Sequence, residues 1–164
     1  MLIYEHKFES PYYTSLGHLL SGLTEEQKKS KWELFDPYLM NLELIPYHSE
    51  GITLPNKLST DQLDYLRSRL TNNLYFITTF KPKLFIFNGS TWYILLIKYD
   101  LVKEYQKVKV SKLFNIYFFE IQGVPSVLFD KFFSRHYWGI TDYVRKITLP
   151  RLIRAKYKNL QSIC

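Results

Sequence analysis

The chain has 164 residues, 46% hydrophobic and 18% aromatic, which is enough apolar surface to fill one domain core and excludes a disordered chain. Its one cysteine, Cys164, excludes a disulfide scaffold, a four-cysteine iron–sulfur cluster and a structural zinc site. The net charge is +7. No apolar run approaches the roughly 20 residues that span a bilayer, and the N-terminus has no signal-peptide pattern. We therefore expect a soluble, cytoplasmic protein with no membrane partner.

The first half of the chain contains two predicted helix starts and one predicted strand. Two capping boxes, each a hydroxyl residue followed three positions later by Gln, begin at Thr24 and Ser59. Between them, residues 38–45 form an apolar, strand-like run. The second capping box opens a helix that ends at Lys81-Pro82. The apolar stripe of this helix consists of Leu63, Leu66, Leu70, Leu74 and Ile77.

The middle of the chain predicts a buried strand followed by a helix. Residues 84–87 are apolar without interruption, which is typical of a parallel strand with both faces buried. The strand runs through Asn88-Gly89 into Ser90, a suitable N-cap for a helix over residues 91–98.

Two further strands, 116–121 and 124–129, are predicted around a Gln122-Gly123 turn. The preceding region alternates lysines with aromatic residues, which suits a platform for single-stranded nucleic acid or a half-buried hairpin with a lysine-protected edge. We favour the hairpin, which explains the pattern at least as well. The residues concerned are Tyr99, Lys103, Tyr105, Lys107, Lys109, Lys112, Phe114, Tyr117, Phe118 and Phe119.

The last predicted element is a helix that begins near Pro150. Its apolar face consists of Leu149, Leu152, Ile153, Tyr157 and Leu160, and another face carries Arg151, Arg154 and Lys158. Residues 131–164 hold eight basic side chains and one acid, whereas residues 1–130 hold 14 of each, so the whole positive excess lies at this end. Such segregation indicates an anionic partner, nucleic acid first, although a solvated basic helix explains it equally well.

Helices that alternate with apolar strands predict an α/β layered fold, and no linker divides residues 1–164 into two domains. Ligands of such folds bind beyond the carboxyl ends of the strands. The segments 41–49, 88–90 and 130–139 are therefore the candidate sites. The four histidines are scattered without metal-ligand spacing, so we expect no metal or other cofactor.

Four segments carry a resemblance that covers most of the chain. They read PYY at 11–13 with GHLL at 17–20, LMNLELIPYHS at 39–49, KLFIFNGST at 83–91 and VLFDKFFSRHYWG at 127–139. In this order and spacing they resemble the uracil-DNA glycosylase superfamily: its aromatic segment, its second and third strands, and its fourth strand with the DNA-inserting loop. The resemblance implies a three-layer α/β/α fold with a short, mostly parallel central sheet.

The resemblance also implies that a base is flipped out of the DNA stack before its glycosidic bond is hydrolysed. Tyr12 is then the ring that stacks on the flipped uracil, and Asn41 reads its edge, since an amide can pair with O4 and N3–H together. The catalytic candidates are His136, Asp130 and His48, because an imidazole can donate to the developing uracil oxyanion and a carboxylate can orient a water or a histidine. Asp130 could equally cap the following turn, and His48 could be a plain surface residue.

Two positions depart from the family pattern. The family carries a Gly-rich turn upstream of the aromatic segment, and residues 1–10 contain no glycine. Its fourth-strand loop begins His-Pro-Ser, and by strand register that histidine falls on Asp130, unless residues 134–136 realign the motif so that His136 supplies the imidazole.

Apolar wedges next to phosphate-binding groups are how proteins hold open a base stack. The predicted DNA contacts are Asn88, Gly89, Ser90, Lys131, Phe132, Phe133, Ser134, Arg135, Arg151, Arg154 and Lys158. Three functions remain open: an active glycosylase on uracil-containing or single-stranded DNA, an inactive family member that binds DNA or protein, and an unrelated α/β interaction protein.

Overall fold

The computed structural model describes residues 11–24, 58–131 and 140–158, which form four α-helices and a four-stranded mixed sheet. In chain order the elements are α1 (Pro11–Thr24), α2 (Thr60–Thr78), β1 (Phe85–Asn88), α3 (Ser90–Tyr93), β2 (Gln106–Lys109), β3 (Asn115–Ile121), β4 (Val124–Phe129) and α4 (Leu149–Lys156). Two π-helical turns, Ile94–Lys98 and Val144–Thr148, follow α3 and precede α4.

The strand order is β1-β4-β3-β2, with β1 and β4 parallel and the other two pairings antiparallel. The prediction of a mostly parallel sheet is therefore wrong for the described strands. The reason is the tight turn between β3 and β4, where Gln122 and Gly123 both have positive φ, 53° and 75°. A two-residue turn of this kind joins only antiparallel neighbours. The predicted turn and its two flanking strands are confirmed.

Strand β1 takes the parallel position that its continuous apolar sequence predicts. Each of its residues pairs in register with β4, from Phe85 with Ser126 to Asn88 with Phe129. Phe85 and Phe87 are buried, and the residues between and after them are half-buried. The two carboxyl ends consequently lie side by side.

Helices cover both faces of the sheet, because successive strand residues point to opposite sides. On the α1–α4 face the buried residues are Leu16, Leu19, Leu20, Leu23, Phe114, Ile116, Phe118, Val127, Phe129, Ile140, Leu149, Ile153 and Tyr157. On the α2–α3 face they are Leu66, Leu70, Leu74, Phe85, Phe87, Leu95, Leu96, Val102, Tyr117, Phe119 and Leu128. Adjacent residues such as Phe118 and Phe119 thus serve different cores.

Helix α2 begins as its sequence predicts. The Ser59 hydroxyl accepts from the Gln62 backbone N–H, and the Gln62 side chain accepts from the Ser59 N–H, which completes the capping box. Within the predicted stripe Leu66, Leu70 and Leu74 are buried.

The other predicted helix start, at Thr24, stays a prediction, because the residues that would follow it lie outside the described residues. Thr24 is the last residue of α1, and its buried hydroxyl donates to the Leu20 carbonyl oxygen at 2.9 Å. Helix α1 itself was not predicted, although Leu16, Leu19, Leu20 and Leu23 follow helical spacing. Ser90 is likewise the first residue of α3 rather than its N-cap, which is Gly89.

The helix near Pro150 is confirmed, and its start is closely packed. Pro150 has no backbone N–H to donate, and the π-helical turn widens the helix just before it. Gly22 of α1 lies directly against this turn, so close that a Cβ there would stand 2.2 Å from the Lys146 carbonyl oxygen.

The end of α4 is fastened to the sheet by Tyr157. Its hydroxyl lies 2.8 Å from the Phe119 carbonyl oxygen and 2.7 Å from that of Ser126, and it accepts from the Ser126 N–H. Phe119 and Ser126 are cross-strand partners of β3 and β4. Burial raises the pKa of the Tyr157 hydroxyl, which therefore stays protonated as a donor.

The lysine-protected edge is also confirmed. Strand β2 is the last in the described order, pairs antiparallel with β3, and exposes Lys107 and Lys109. No helix in the described part of the chain is both long and apolar enough to span a membrane.

Candidate functional site

Two of the three predicted site segments meet in the structure. Asn88, Gly89 and Ser90 follow β1, and Asp130 and Lys131 follow β4. The Gly89 N–H donates to the Phe129 carbonyl oxygen at 2.9 Å, which holds the two segments together. We call these five residues (88–90, 130 and 131) the strand-end cluster. Its position agrees with the rule that α/β ligands bind at adjacent carboxyl strand ends.

Gly89 is buried and makes the sharp turn from β1 into α3. Its φ of 106° and ψ of 169° lie in a region that only glycine adopts readily. Its N–H is already used by β4, so it is not available to a phosphate, contrary to the predicted backbone contact. Ser90 is exposed at the start of α3 and offers its hydroxyl instead.

Asp130 is buried, at 7% exposure, and its carboxylate faces the start of β3. Oδ1 accepts from the Asn115 backbone N–H at 3.0 Å, and Oδ2 accepts from the Asn115 side-chain amide at 2.7 Å. Asp130 therefore fastens the end of β4 to the start of β3. A carboxylate has about four acceptor sites, so a water or a histidine would be an additional partner.

Three tyrosines, Tyr93, Tyr105 and Tyr117, contact one another through Tyr117 on the α2–α3 face, and Tyr117 is close enough to Asp130 to feel its charge. The ring of Tyr117 is 5.5 Å from that of Tyr93 and 5.5 Å from that of Tyr105, between centroids. The ammonium of Lys107 stands 5.8 Å from the Tyr117 ring centroid. Burial raises the pKa of the Tyr117 hydroxyl, the neighbouring Tyr93 raises it further, and Asp130 adds to the effect. Tyr117 is therefore a neutral donor.

Of the three basic residues predicted on one helix face, Arg151 and Arg154 lie on α4, whereas Lys158 lies beyond its last residue, Lys156. Arg151 and Lys158 are exposed and Arg154 is half-buried. Lys158 directly follows Tyr157, whose hydroxyl bonds to Ser126 near the start of β4. Asp130 comes four residues after Ser126, which at the rise of a strand is about 13 Å away. The structure thus does not bring Lys158 to the strand ends, and the basic helix face forms a second region.

Arg145, one of the eight basic residues of 131–164, is buried and does not contribute to the basic surface. The Arg145 side chain is 2% exposed, and its Nη1 donates to Asp142 Oδ1 at 2.8 Å. Asp142 is the one acid of residues 131–164. This acid is thus engaged by the buried arginine.

The sequence did not mark His18 as a site residue. It is the one histidine among the described residues. Its Nδ1 lies 3.6 Å from Asp142 Oδ1, beyond hydrogen-bond distance, between α1 and the π-helical turn. Burial lowers the pKa of His18, and the positive charge of Lys146 lowers it further, so the ring is neutral near pH 7. Since His18 and Asp142 are far apart in sequence, no local pattern marks this pair.

Helix α1, whose first turn contains Tyr12, packs against the π-helical turn before α4 and against α4. α1 runs in the same direction as the C-terminal helix, because His18 lies by Asp142 and Gly22 by Lys146. The C-terminal helix ends beside the start of β4, where Tyr157 bonds to Ser126.

The remaining predicted site residues lie outside the described residues. They are Asn41, His48, Phe132, Phe133, Ser134, Arg135 and His136. Among the residues that are described, no three His, Cys, Asp or Glu side chains come together in a way that would hold a metal ion. In the described part of the site, the exposed Ser90 hydroxyl is available to donate or accept a hydrogen bond, whereas Tyr117 is buried.

Comparisons with protein-family models, with curated proteins and with solved structures give no match for this chain.

Proposed function

We propose that this protein is a DNA-binding, uracil-DNA glycosylase-like protein of three-layer α/β/α architecture, which recognises a flipped uracil-type base and hydrolyses its N-glycosidic bond. The observation that carries the proposal is the parallel pairing of β1 with β4. It brings the two segments that resemble the third strand and the fourth-strand loop of that superfamily to one edge of the sheet. Helices on both sheet faces are consistent with that architecture.

In this proposal the strand-end cluster is the floor of the base site. Tyr12 and Asn41 would stack on and read the base, and His136 or His48 would donate to the departing uracil. Asp130 acts mainly by holding the start of β3 in place, since both its oxygens accept from Asn115. We therefore reassign Asp130 from a catalytic group to a positioning residue.

A second candidate is an inactive family member that binds DNA or protein without chemistry. The engagement of Asp130 by Asn115 favours it, because the residue in the register of the family's histidine is committed to the sheet.

Base release from a uracil-containing oligonucleotide distinguishes the two candidates. We expect the purified protein to produce alkali-labile abasic sites from uracil DNA and none from the same sequence with thymine. Asn41→Ala should lower this release while leaving binding to uracil-free DNA unchanged, because the amide contacts the base edge and not the backbone.

Glu43→Gln, in the same segment, serves as the matched control and should retain release. Equal loss of release and of nonspecific binding in Asn41→Ala would place Asn41 outside the base site. Tight, uracil-independent DNA binding by the wild type without any base release would select the inactive candidate.

The basic helix is tested through the salt dependence of DNA binding. The double variant Arg151→Gln, Lys158→Gln should bind any DNA sequence more weakly, and its log–log salt slope should flatten by up to about two. The control Lys81→Gln, Lys98→Gln removes two exposed cations from the α2–α3 side of the sheet. A slope equal to that of the wild type in the Arg151, Lys158 variant would show that this helix does not contact phosphate.

A further inference from the structure

The edge of the sheet at β2 carries an exposed tyrosine next to exposed lysines. Tyr105 is 45% exposed and leads into β2, whose residues Lys107 and Lys109 are also exposed. Val108, between the two lysines, packs partly against the core on the α1–α4 face. By strand alternation Lys107 and Lys109 share the α2–α3 face. We call Tyr105, Lys107 and Lys109 the β2 edge surface.

This surface is ordered by what lies beneath it. The Tyr105 ring meets the Tyr117 ring edge-on, at 5.5 Å and 65°. The Lys107 ammonium stands over the same ring, 5.8 Å from its centroid. Tyr117 is buried, at 3% exposure. One side of Tyr105 is thus supported by a fixed partner, while almost half of its surface remains open to a ligand.

The charge of the surface suits a polyanion. Residues 103–112 contain four exposed lysines (Lys103, Lys107, Lys109 and Lys112) and one exposed acid, Glu104. Lys107 and Lys109 lie on the edge strand, Lys103 lies before it and Lys112 in the turn after it, so the cations follow one another along this edge of the chain. A row of cations next to an aromatic ring is the arrangement with which proteins hold single-stranded nucleic acid.

The β2 edge surface is continuous with the strand-end cluster. Lys109 pairs in register with Asn115, and the Asn115 amide donates to Asp130 at 2.7 Å. Neighbouring strands are about 4.8 Å apart, so Lys109 lies two strands, about 10 Å, from the end of β4. A DNA strand that leaves the strand ends in this direction meets Lys109 first.

We propose that the β2 edge surface binds a single DNA strand that flanks the proposed base site, with one base stacked on Tyr105 and the neighbouring phosphates held by Lys107 and Lys109. This inference rests on the proposed function in one respect only, namely that the bound DNA strand continues from the proposed base site toward Lys109. Stacking requires an unpaired base face, so the surface selects single-stranded over duplex DNA.

The test measures binding of a fluorescein-labelled oligothymidylate of about 12 nucleotides, which contains no uracil, and of a duplex of the same length. Tyr105→Ala should weaken oligothymidylate binding by about fivefold or more and leave duplex binding unchanged. Tyr105→Phe should retain wild-type affinity because the ring remains. Lys107→Gln should weaken binding and reduce its salt slope by about 0.7.

The matched controls are Tyr65→Ala, at a tyrosine that is 59% exposed on α2, and Lys83→Gln, an exposed lysine before β1 at the other edge of the sheet. Equal losses in the controls, or wild-type affinity in Tyr105→Ala, would overturn the inference. So would a wild-type protein that fails to bind the oligothymidylate. Thermal melting of each variant verifies that it is folded.

The two proposals fail separately. A protein that binds the oligothymidylate through Tyr105 but releases no base refutes the glycosylase activity and supports this surface. A protein that releases uracil while Tyr105→Ala binds and cleaves like the wild type refutes the surface alone. Preferential loss of duplex binding in Tyr105→Ala would assign the surface to paired DNA and contradict the proposal.

Discussion

Gly22→Ala should lower the free energy of unfolding by about 2 kcal/mol or more. An alanine Cβ at this position would lie 2.2 Å from the Lys146 carbonyl oxygen and 2.4 Å from the Pro150 side chain. Alanine is the better helix former by about 1 kcal/mol, so propensity alone predicts a gain. The overlap outweighs it, because the nearest atom belongs to the backbone.

The neighbouring structure has little freedom to give way. The carbonyl of Lys146 lies in the π-helical turn, and α4 starts immediately after that turn. Moving the turn away from α1 would pull Leu149 and Ile153, both fully buried, out of the core that they share with Leu19. The added methyl therefore separates α1 from the C-terminal helix.

Urea unfolding followed by circular dichroism measures this effect, with two controls. Thr14→Ala lies on the exposed side of α1 and should change stability little, or raise it slightly. Gly123→Ala meets no atom within 4 Å but has φ of +75°, so it should cost about 1 kcal/mol from backbone strain alone. If Gly22→Ala unfolds at the wild-type midpoint, α1 does not pack on the π-helical turn as described.

Tyr157→Phe should lower the free energy of unfolding by about 1–3 kcal/mol. The substitution keeps the ring, which meets the Phe118 ring edge-on at 5.9 Å, and removes only the hydroxyl. The carbonyl oxygens of Phe119 and Ser126 then lose their buried donor, and the Ser126 N–H loses its acceptor. No water replaces the hydroxyl without displacing packed side chains, since Tyr157 is 6% exposed.

Tyr143→Phe is the matched control, because Tyr143 is 69% exposed at the start of the same helical segment. It should unfold within about 0.5 kcal/mol of the wild type. The slope of the urea transition should be equal in all three proteins, so that the midpoints report stability. A Tyr157→Phe protein as stable as the control would mean that the hydroxyl does not bridge β3 and β4.

Local patterns predicted the elements whose stabilising contacts lie close in sequence. The Ser59 capping box is closed by Gln62, three residues away, and the Gln122-Gly123 turn is closed by its own two positive φ values. The apolar run of β1 predicted a buried parallel strand because a strand with helices on both faces needs apolar residues at every position.

The same patterns failed where a distant contact decides the outcome. Ser90 has the sequence of an N-cap, but the Gly89 N–H bonds to Phe129 of β4, and Gly89 is the N-cap with Ser90 as the first residue of α3. A mostly parallel sheet was expected from the resemblance, and the hairpin β3–β4 makes the second and third pairings antiparallel. Strand direction in a sheet depends on which strands pair, and the pairing of β1 with β4 spans about 40 residues of chain.

In the candidate site, too, local sequence predicted some features and distant contacts decided others. The sequence placed Asn88–Ser90 and Asp130 after strands, and the rule for carboxyl strand ends predicted that they meet, as they do. It did not reveal that Asp130 is bound by Asn115, that Arg145 is buried against Asp142, or that His18 lies near the same acid. The contacts of Asp130 and of His18 join side chains that only folding brings within 4 Å, and the burial of Arg145 depends on the packing around its helical segment.

The sequence by itself determined the class of the fold, the start of α2, the β3–β4 turn and the concentration of positive charge after residue 130, because these follow from spacing, turn chemistry and composition. The end of α2 falls at Thr78, ahead of the predicted Lys81-Pro82. Tertiary structure alone decided which cations reach solvent, which strand ends adjoin, and how Tyr105 is held beside Lys107. The physical reason is that burial, pairing and pKa depend on the groups that surround a side chain, and those groups come from remote parts of the chain.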